Sequence, residues 1–178
     1  VNRDANNACT VEVRNRQREV RFSVDSNIIR GIVQAVLDSQ GQTASCVGIH
    51  FLSDLATRRL HQQFFSDPSS TDCMSFPIDE APENPEEYRH LGDVVVCPAT
   101  AFSHAKENPS LFWDELTLYI IHGLLHLLGY DDIDPNDRAI MRRQERRARA
   151  LASKRGLLLK GPVSYHVGKN LHSIKKHA

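Results

Sequence analysis

The sequence predicts an α+β fold, with a small mixed β-sheet of about four strands packed against several helices. Three observations point there: short stretches that alternate apolar and polar residues, longer segments with helical spacing of apolar residues between them, and one segment apolar nearly all round. At 178 residues, 40% hydrophobic and 25% charged, the chain suits a single core.

The elements follow in order. "TVEVR" (10–14) and "EVRFSV" (19–24) alternate as half-buried strands do, with "NRQR" between them, and predict a hairpin or two successive strands. "DSNIIRGIVQAVLDSQG" sets Ile28, Ile29, Ile32, Val33, Val36 and Leu37 at helical period behind an Asp25 or Ser26 cap and closes at Gly41. "SCVGIHFLS" (45–53) has Val47, Ile49 and Phe51 on one face of a strand. A helix capped by Ser53 follows, expected to bury Leu55, Leu60 and Phe64.

The turn-rich "SDPSSTD" (66–72) leads into "CMSFPI", a short strand ended by Pro77. An acidic, proline-bearing loop, "DEAPENPEEYRH", then precedes the strand "LGDVVVCP" (91–98). Two helices come next: "ATAFSHAKEN", and the apolar "SLFWDELTLYIIHGLLHLLG", capped by Ser110 after the Asn108-Pro109 break and stopped by Gly129. The second belongs at the centre of the domain. A last helix has Asp134 as cap, Pro135 at its first position and Asp137 in its first turn. Residues 1–156 form one expected domain, and 157–178 an expected basic, patternless and disordered tail.

Several classes are excluded. No apolar run approaches the ~20 residues that span a bilayer, and "VNRDANNACT" lacks the order of a secretory signal, so a soluble, cytoplasmic protein is expected. Cys9, Cys46, Cys73 and Cys97 form no C-x-x-C pair and are expected to be reduced thiols, neither a metal site nor a disulfide framework. Net charge is zero but unevenly spread. Val1 to Asp137 holds ten Lys+Arg against 21 Asp+Glu, whereas Arg138 to Ala178 holds twelve against the single acid Glu145. Such a basic end suits an anionic partner, nucleic acid above all; a basic helix packed on an acidic body is the simpler account of the same pattern.

The stretch that carries chemistry is "IHGLLHLLGYDD" (121–132). Four helical residues advance about 400°, so His122 and His126 leave one face a turn apart, within reach of one ion. Gly129 can take the left-handed conformation that folds the chain back, bringing Asp131 and Asp132 towards the imidazoles. In isolation such a pair could be core histidines with ordinary partners. Two buried rings need some organised partner, and the turn glycine and carboxylates make a metal ion, zinc by ligand type, the expected one. A peptidase helix of the H-E-x-x-H kind would carry its base directly after the first histidine, where this chain has Gly123.

"HGLLHLLGYDD" resembles the H-G-x-L-H-L-x-G-Y-D-H signature of the YbeY family, bacterial metal-dependent endoribonucleases that mature ribosomal RNA. "STDCMSFP" is similar to that family's T-D-V-L-S-F-P, "LGDVVV" to its L-G-D-I strand, and Glu115 stands where the family has a glutamate seven residues before the first histidine. The resemblance implies a zincin-like fold, metal ligands at His122 and His126, and a third ligand position at Asp132, where the family has histidine. An aspartate arm is shorter and negative, so it would polarise a water less; Asp132 standing back with a water in its place is the other arrangement. Phe65 occupies the position of a family arginine that would clamp a phosphate, leaving Arg58, Arg59, His104 or the basic C-terminal region for that task.

The function so implied is metal-assisted hydrolysis of single-stranded RNA, at the 3′ end of small-subunit ribosomal RNA, in association with ribosomes and in ribosome quality control; neither DNA nor membrane is an expected partner. The catalytic base stays open between Asp131 and Asp72. Phe64, Phe65 and Phe76 are stacking candidates, although core packing is the commoner fate of such rings. The alternative is a ribosome- or RNA-binding protein with a degenerate, weakly catalytic site, favoured by the missing histidine and arginine. Two histidines and a carboxylate also describe mononuclear iron oxygenases, which are usually β-barrels.

Overall fold

The computed structural model describes residues 9–44, 46–78, 89–106, 108–167 and 170–173. Its elements run β1 (Thr10–Asn15), β2 (Val20–Arg21), α1 (Ser26–Gln40), β3 (Cys46–Phe51), α2 (Asp54–Phe65), β4 (Cys73–Pro77), β5 (His90–Val96), α3 (Pro98–Ala105), α4 (Pro109–Leu127), α5 (Pro135–Lys154), β6 (Ser164–Val167) and β7 (Asn170–Ser173). A four-stranded mixed sheet has the order β1-β3-β5-β4, parallel except where β4 meets β5. This is the predicted α+β class.

Helix α4 lies on that sheet at the centre of the core. Phe112, Leu116, Ile120, Ile121, Leu124 and Leu125 are all fully buried, as a helix apolar all round requires. Gly123 sets how closely it docks. A Cβ there would lie 2.3 Å from Val94 Cγ1 of β5, and Ser75 Oγ of β4 donates to the Gly123 carbonyl at 2.8 Å. With Gly123 turned to the sheet, His122 and His126 leave the helix to one side of it, about 100° and 60° round the axis.

Of the two arrangements expected for the first two segments, successive strands are found and not a hairpin: β1 pairs with β3, while β2 joins a second sheet of order β2-β6-β7. Three expectations are corrected. The cap of α4 is Asn108, whose side chain accepts from Ser110 N and Leu111 N at 3.0 and 3.5 Å. Pro109 has no N–H to satisfy and fits the first helical position, so the helix starts before Ser110. On α2, Leu55 and Phe64 are both 57% exposed and Thr57 alone is buried. That helix meets the edge strand, Phe64 against Phe76 at 5.0 Å between ring centroids.

The third correction concerns the expected tail, 157–178, of which residues 168–169 and 174–178 lie outside the described residues. Leu159 and Val163 are buried, Trp113 Nε1 donates to Gly161 O at 2.9 Å, and Tyr165 stacks on Phe102 at 5.1 Å. Strand β6 pairs antiparallel with β2 and β7 with β6. A segment with no period of its own is ordered by a partner some 140 residues upstream in the chain, which local patterning does not reveal. Most of the expected acidic loop, residues 79–88, lies outside the described residues. All four cysteines are free thiols, and among the described residues no helix is long and apolar enough to cross a membrane.

Candidate metal centre

Helix α4 ends at Leu127, and Gly129 (φ 89°) turns the chain back through the left-handed region that a side chain would strain. Five hydrogen bonds hold the return. Tyr130 N donates to Leu125 O at 3.1 Å, Asp131 Oδ1 accepts from Asp132 N and Ile133 N at 2.7 and 3.3 Å, and Arg138 donates to the Asp132 and Ile133 carbonyls at 3.1 and 3.0 Å. Asp131 is thereby spent on the turn. Asp132, with its main chain fixed on both sides, faces the histidines.

Among the described residues, His122, His126 and Asp132 are the group whose donor atoms converge, all within 4.8 Å of one another. The His122 and His126 Nε2 atoms are 2.9 Å apart, and the Asp132 oxygens lie 3.9 and 3.7 Å from them. Tetrahedral zinc ligands at ~2.0–2.1 Å stand about 3.3 Å from each other, inside this range. The donor set and its spacing fit one divalent cation.

The tautomers argue the same way. His122 Nδ1 lies 2.7 Å from Glu145 Oε1 of α5, and His126 Nδ1 2.9 Å from the Tyr130 carbonyl. Both partners are acceptors, so both Nδ1 atoms carry protons and both Nε2 atoms present lone pairs to each other. Two lone pairs at 2.9 Å repel unless a cation or a proton lies between them. An acceptor behind each imidazole is the usual outer arrangement of histidine metal ligands. Burial works against charge on His122, but the Glu145 hydrogen bond and charge, with Asp132 and Asp72, raise its pKa above the ordinary imidazole value. The locus attracts positive charge.

A cavity of about 240 Å³ opens beside the cluster, lined by Asp72, His122, Asp132, Arg138, Arg142 and Glu145 among others. Of the two base candidates, Asp72 is therefore at the cavity and Asp131 is not. Cys73 adjoins it; burial, then Asp72, Asp132 and Glu145, push its thiol well up, keeping it neutral. None of Arg58, Arg59 and His104 lines the cavity. Arg58 pairs with Asp54 at 2.8 Å, and His104 with the Tyr119 hydroxyl at 2.8 Å and Glu115 at 3.8 Å. Phe65 is exposed, its ring against His61 and Phe76.

Sequence reasoning did not assign Glu145, Arg138 or Arg142 to this site. One signal for Glu145 was available: it is the only acid among the last 41 residues. A lone carboxylate on an arginine-rich helix needs a cationic or donor partner on its inward side.

A sequence model described as endoribonuclease YbeY matches residues 10–152. The curated "Endoribonuclease YbeY" of Protochlamydia amoebophila is 37% identical over 150 residues, covering 84% of this chain and 97% of that protein. The protein of the same name from Chlamydia abortus is 33% identical over 150 residues, covering 83% and 93%. Among solved structures, the solution structure of a protein from Thermotoga maritima matches with a TM-score of 0.54 at 21% identity, over 83% of this chain and 91% of that one, a likeness of fold.

Proposed function

The chain belongs to the YbeY family of endoribonucleases, which act in ribosomal RNA processing, and from that membership and the geometry of its site we propose that it hydrolyses single-stranded RNA with one divalent ion held by His122, His126 and Asp132. The observation that carries the reading is the pair of Nε2 atoms facing each other at 2.9 Å, with an acceptor 2.7 and 2.9 Å from the two Nδ1 atoms.

When bound, the ion supplies Lewis acidity to a water and to a phosphate oxygen. The protein supplies the rest. Glu145 and the Tyr130 carbonyl fix the ring orientations, and Arg138 holds the turn that carries Asp132. The cavity wall carries three carboxylates, Asp72, Asp132 and Glu145, against two guanidiniums, Arg138 and Arg142. That balance repels an anionic phosphate, and a bound divalent ion would reverse its sign. Asp72 is the base we assign, because it lines the cavity and Asp131 does not. Arg142 takes the phosphate-clamping task that Phe65 cannot perform.

Zinc is the ion we propose, from two imidazoles and one carboxylate as donors. The small-subunit RNA 3′ end as target, ribosomes as partner, a role in ribosome quality control, a cytoplasmic location and no DNA substrate are proposed on the family resemblance. The test is metal analysis of protein purified without added metal, with cleavage of a single-stranded RNA in the presence and absence of chelator. Bound zinc with chelator-sensitive cutting is expected. RNA binding without cutting supports instead a binding protein with a degenerate site.

A further inference from the structure

Helix α5 presents a second basic feature, beyond the cavity wall. Arg142, Arg143, Arg146 and Arg147 are all exposed, and among the described residues none makes an ion pair or hydrogen bond. The helix's other arginines differ. Arg138 is bound to two carbonyls and Arg149 to Asp114 at 3.4 Å, and Arg155, just past its end, to Asp38 at 2.6 Å.

At 100° per residue the four free guanidiniums fall within an arc of about 140°, opposite the face on which Met141, Ala148 and Ala152 are buried. Their i,i+4 pairs, Arg142 with Arg146 and Arg143 with Arg147, are like-charged neighbours of the kind that destabilise a helix. Glu145, the one acid that could relieve them from within the run, points inward to His122. The charge is thus left uncompensated by its own fold. Arg142 also lines the cavity of the His122–His126–Asp132 cluster, so the ridge begins at the cavity wall and continues about 7.5 Å along the helix axis to Arg147.

We propose that this ridge is a phosphate track: the single-stranded RNA whose scissile bond enters the cavity runs its backbone outward along α5 over Arg142, Arg143, Arg146 and Arg147. The identity of the polyanion rests on the endoribonuclease reading, and its path on charge and position. Guanidiniums with no internal partner bind phosphate without first breaking an ion pair. The track lies on the ordered helix rather than in the basic residues beyond it.

The test uses the full chain with its metal as purified. Binding of a fluorescent 2′-O-methyl single strand of about twelve nucleotides is measured by anisotropy across a salt series. Each phosphate of a single strand that the protein ceases to neutralise flattens the slope of log K against log salt by about 0.7. A variant carrying Arg142→Gln, Arg143→Gln, Arg146→Gln and Arg147→Gln is therefore expected to flatten it by about 2 to 3, with at least a tenfold weaker Kd near physiological salt. The pair Arg149→Gln with Arg155→Gln, which removes charges already paired within the protein, leaves the slope unchanged. An unchanged slope in the fourfold variant overturns the track, as does a flattening in the control pair of about 1 to 1.5, half that of the fourfold variant, which would mean that only total charge matters. Chelator-sensitive cutting of unmodified RNA by the wild type is scored in the same preparation. Its absence overturns the endoribonuclease reading, whereas the salt slopes decide the track separately.

Discussion

Removing the Asp132 carboxylate is the sharpest test of the metal centre, because little else depends on that side chain. Its N–H is held by Asp131 and its carbonyl by Arg138, so Asp132→Ala keeps both turn contacts and deletes only the third donor. The side chain is 40% exposed, and the change should cost the chelated protein no more than about 0.5 kcal/mol. Metal affinity responds differently. Loss of an outer partner alone weakens histidine sites by about 10–100-fold, so loss of one of three direct donors is set at about 100-fold or more. At free zinc about 100 times the wild-type Kd, binding stabilises the wild type by about 2.7 kcal/mol and the variant by about 0.4 kcal/mol. For a chain of this length the difference of about 2.3 kcal/mol corresponds to about 5–9 °C in Tm. The assay is thermal unfolding of both proteins, chelated and at that zinc concentration, with Asp132→His as the variant that retains the metal-dependent rise. An Asp132→Ala protein whose Tm rises with zinc as far as the wild type's refutes the assignment.

Three further outcomes are expected. Glu145→Gln removes the charge behind His122 Nδ1 and should lower metal affinity about 10–100-fold by chelator competition, with little effect on the chelated Tm. Gly123→Ala drives a Cβ to 2.3 Å from Val94 Cγ1, and the overpacking, about 1–3 kcal/mol, outweighs the ~1 kcal/mol gain in helix propensity, so denaturant unfolding should show net destabilisation. Truncation after Gly156 exposes the surfaces that Leu159 and Val163 cover, at about 1.5–3 kcal/mol per side chain, and should lower the chelated Tm. A truncated protein as stable as the full chain would return residues 157–165 to the expected tail.

The fold was legible wherever a signal was local. Asp25, Ser53 and Asp134 cap the helices assigned to them, Gly41 closes α1 in the left-handed conformation, and Val47, Ile49 and Phe51 share a fully buried face. Each depends only on residues within one or two turns. What failed was set by distant partners. β2 pairs through two residues with β6, far along the chain, and α2 exposes Phe64 where it lies against an edge strand. Neither fact is encoded in the spacing of the segment itself.

The site divides along the same line. His122, His126, Gly129 and Asp132 lie within eleven residues of one another, and their convergence follows from helical pitch and one turn. Glu145 and Arg142 reach the same cavity from α5, which only tertiary packing brings alongside α4. Their contribution changes how an aspartate in place of a histidine is understood. Considered with its turn alone, Asp132 makes a weaker, more negative site. With Glu145 behind His122 and Asp72 on the wall, the carboxylates of the cavity number three, favouring capture of a cation and opposing approach of phosphate. Arg138 and Arg142 answer the second effect at the point where it arises. Neutralising Arg142 alone should therefore raise the KM for RNA more than it lowers kcat, whereas Asp132→Ala should act first on metal content.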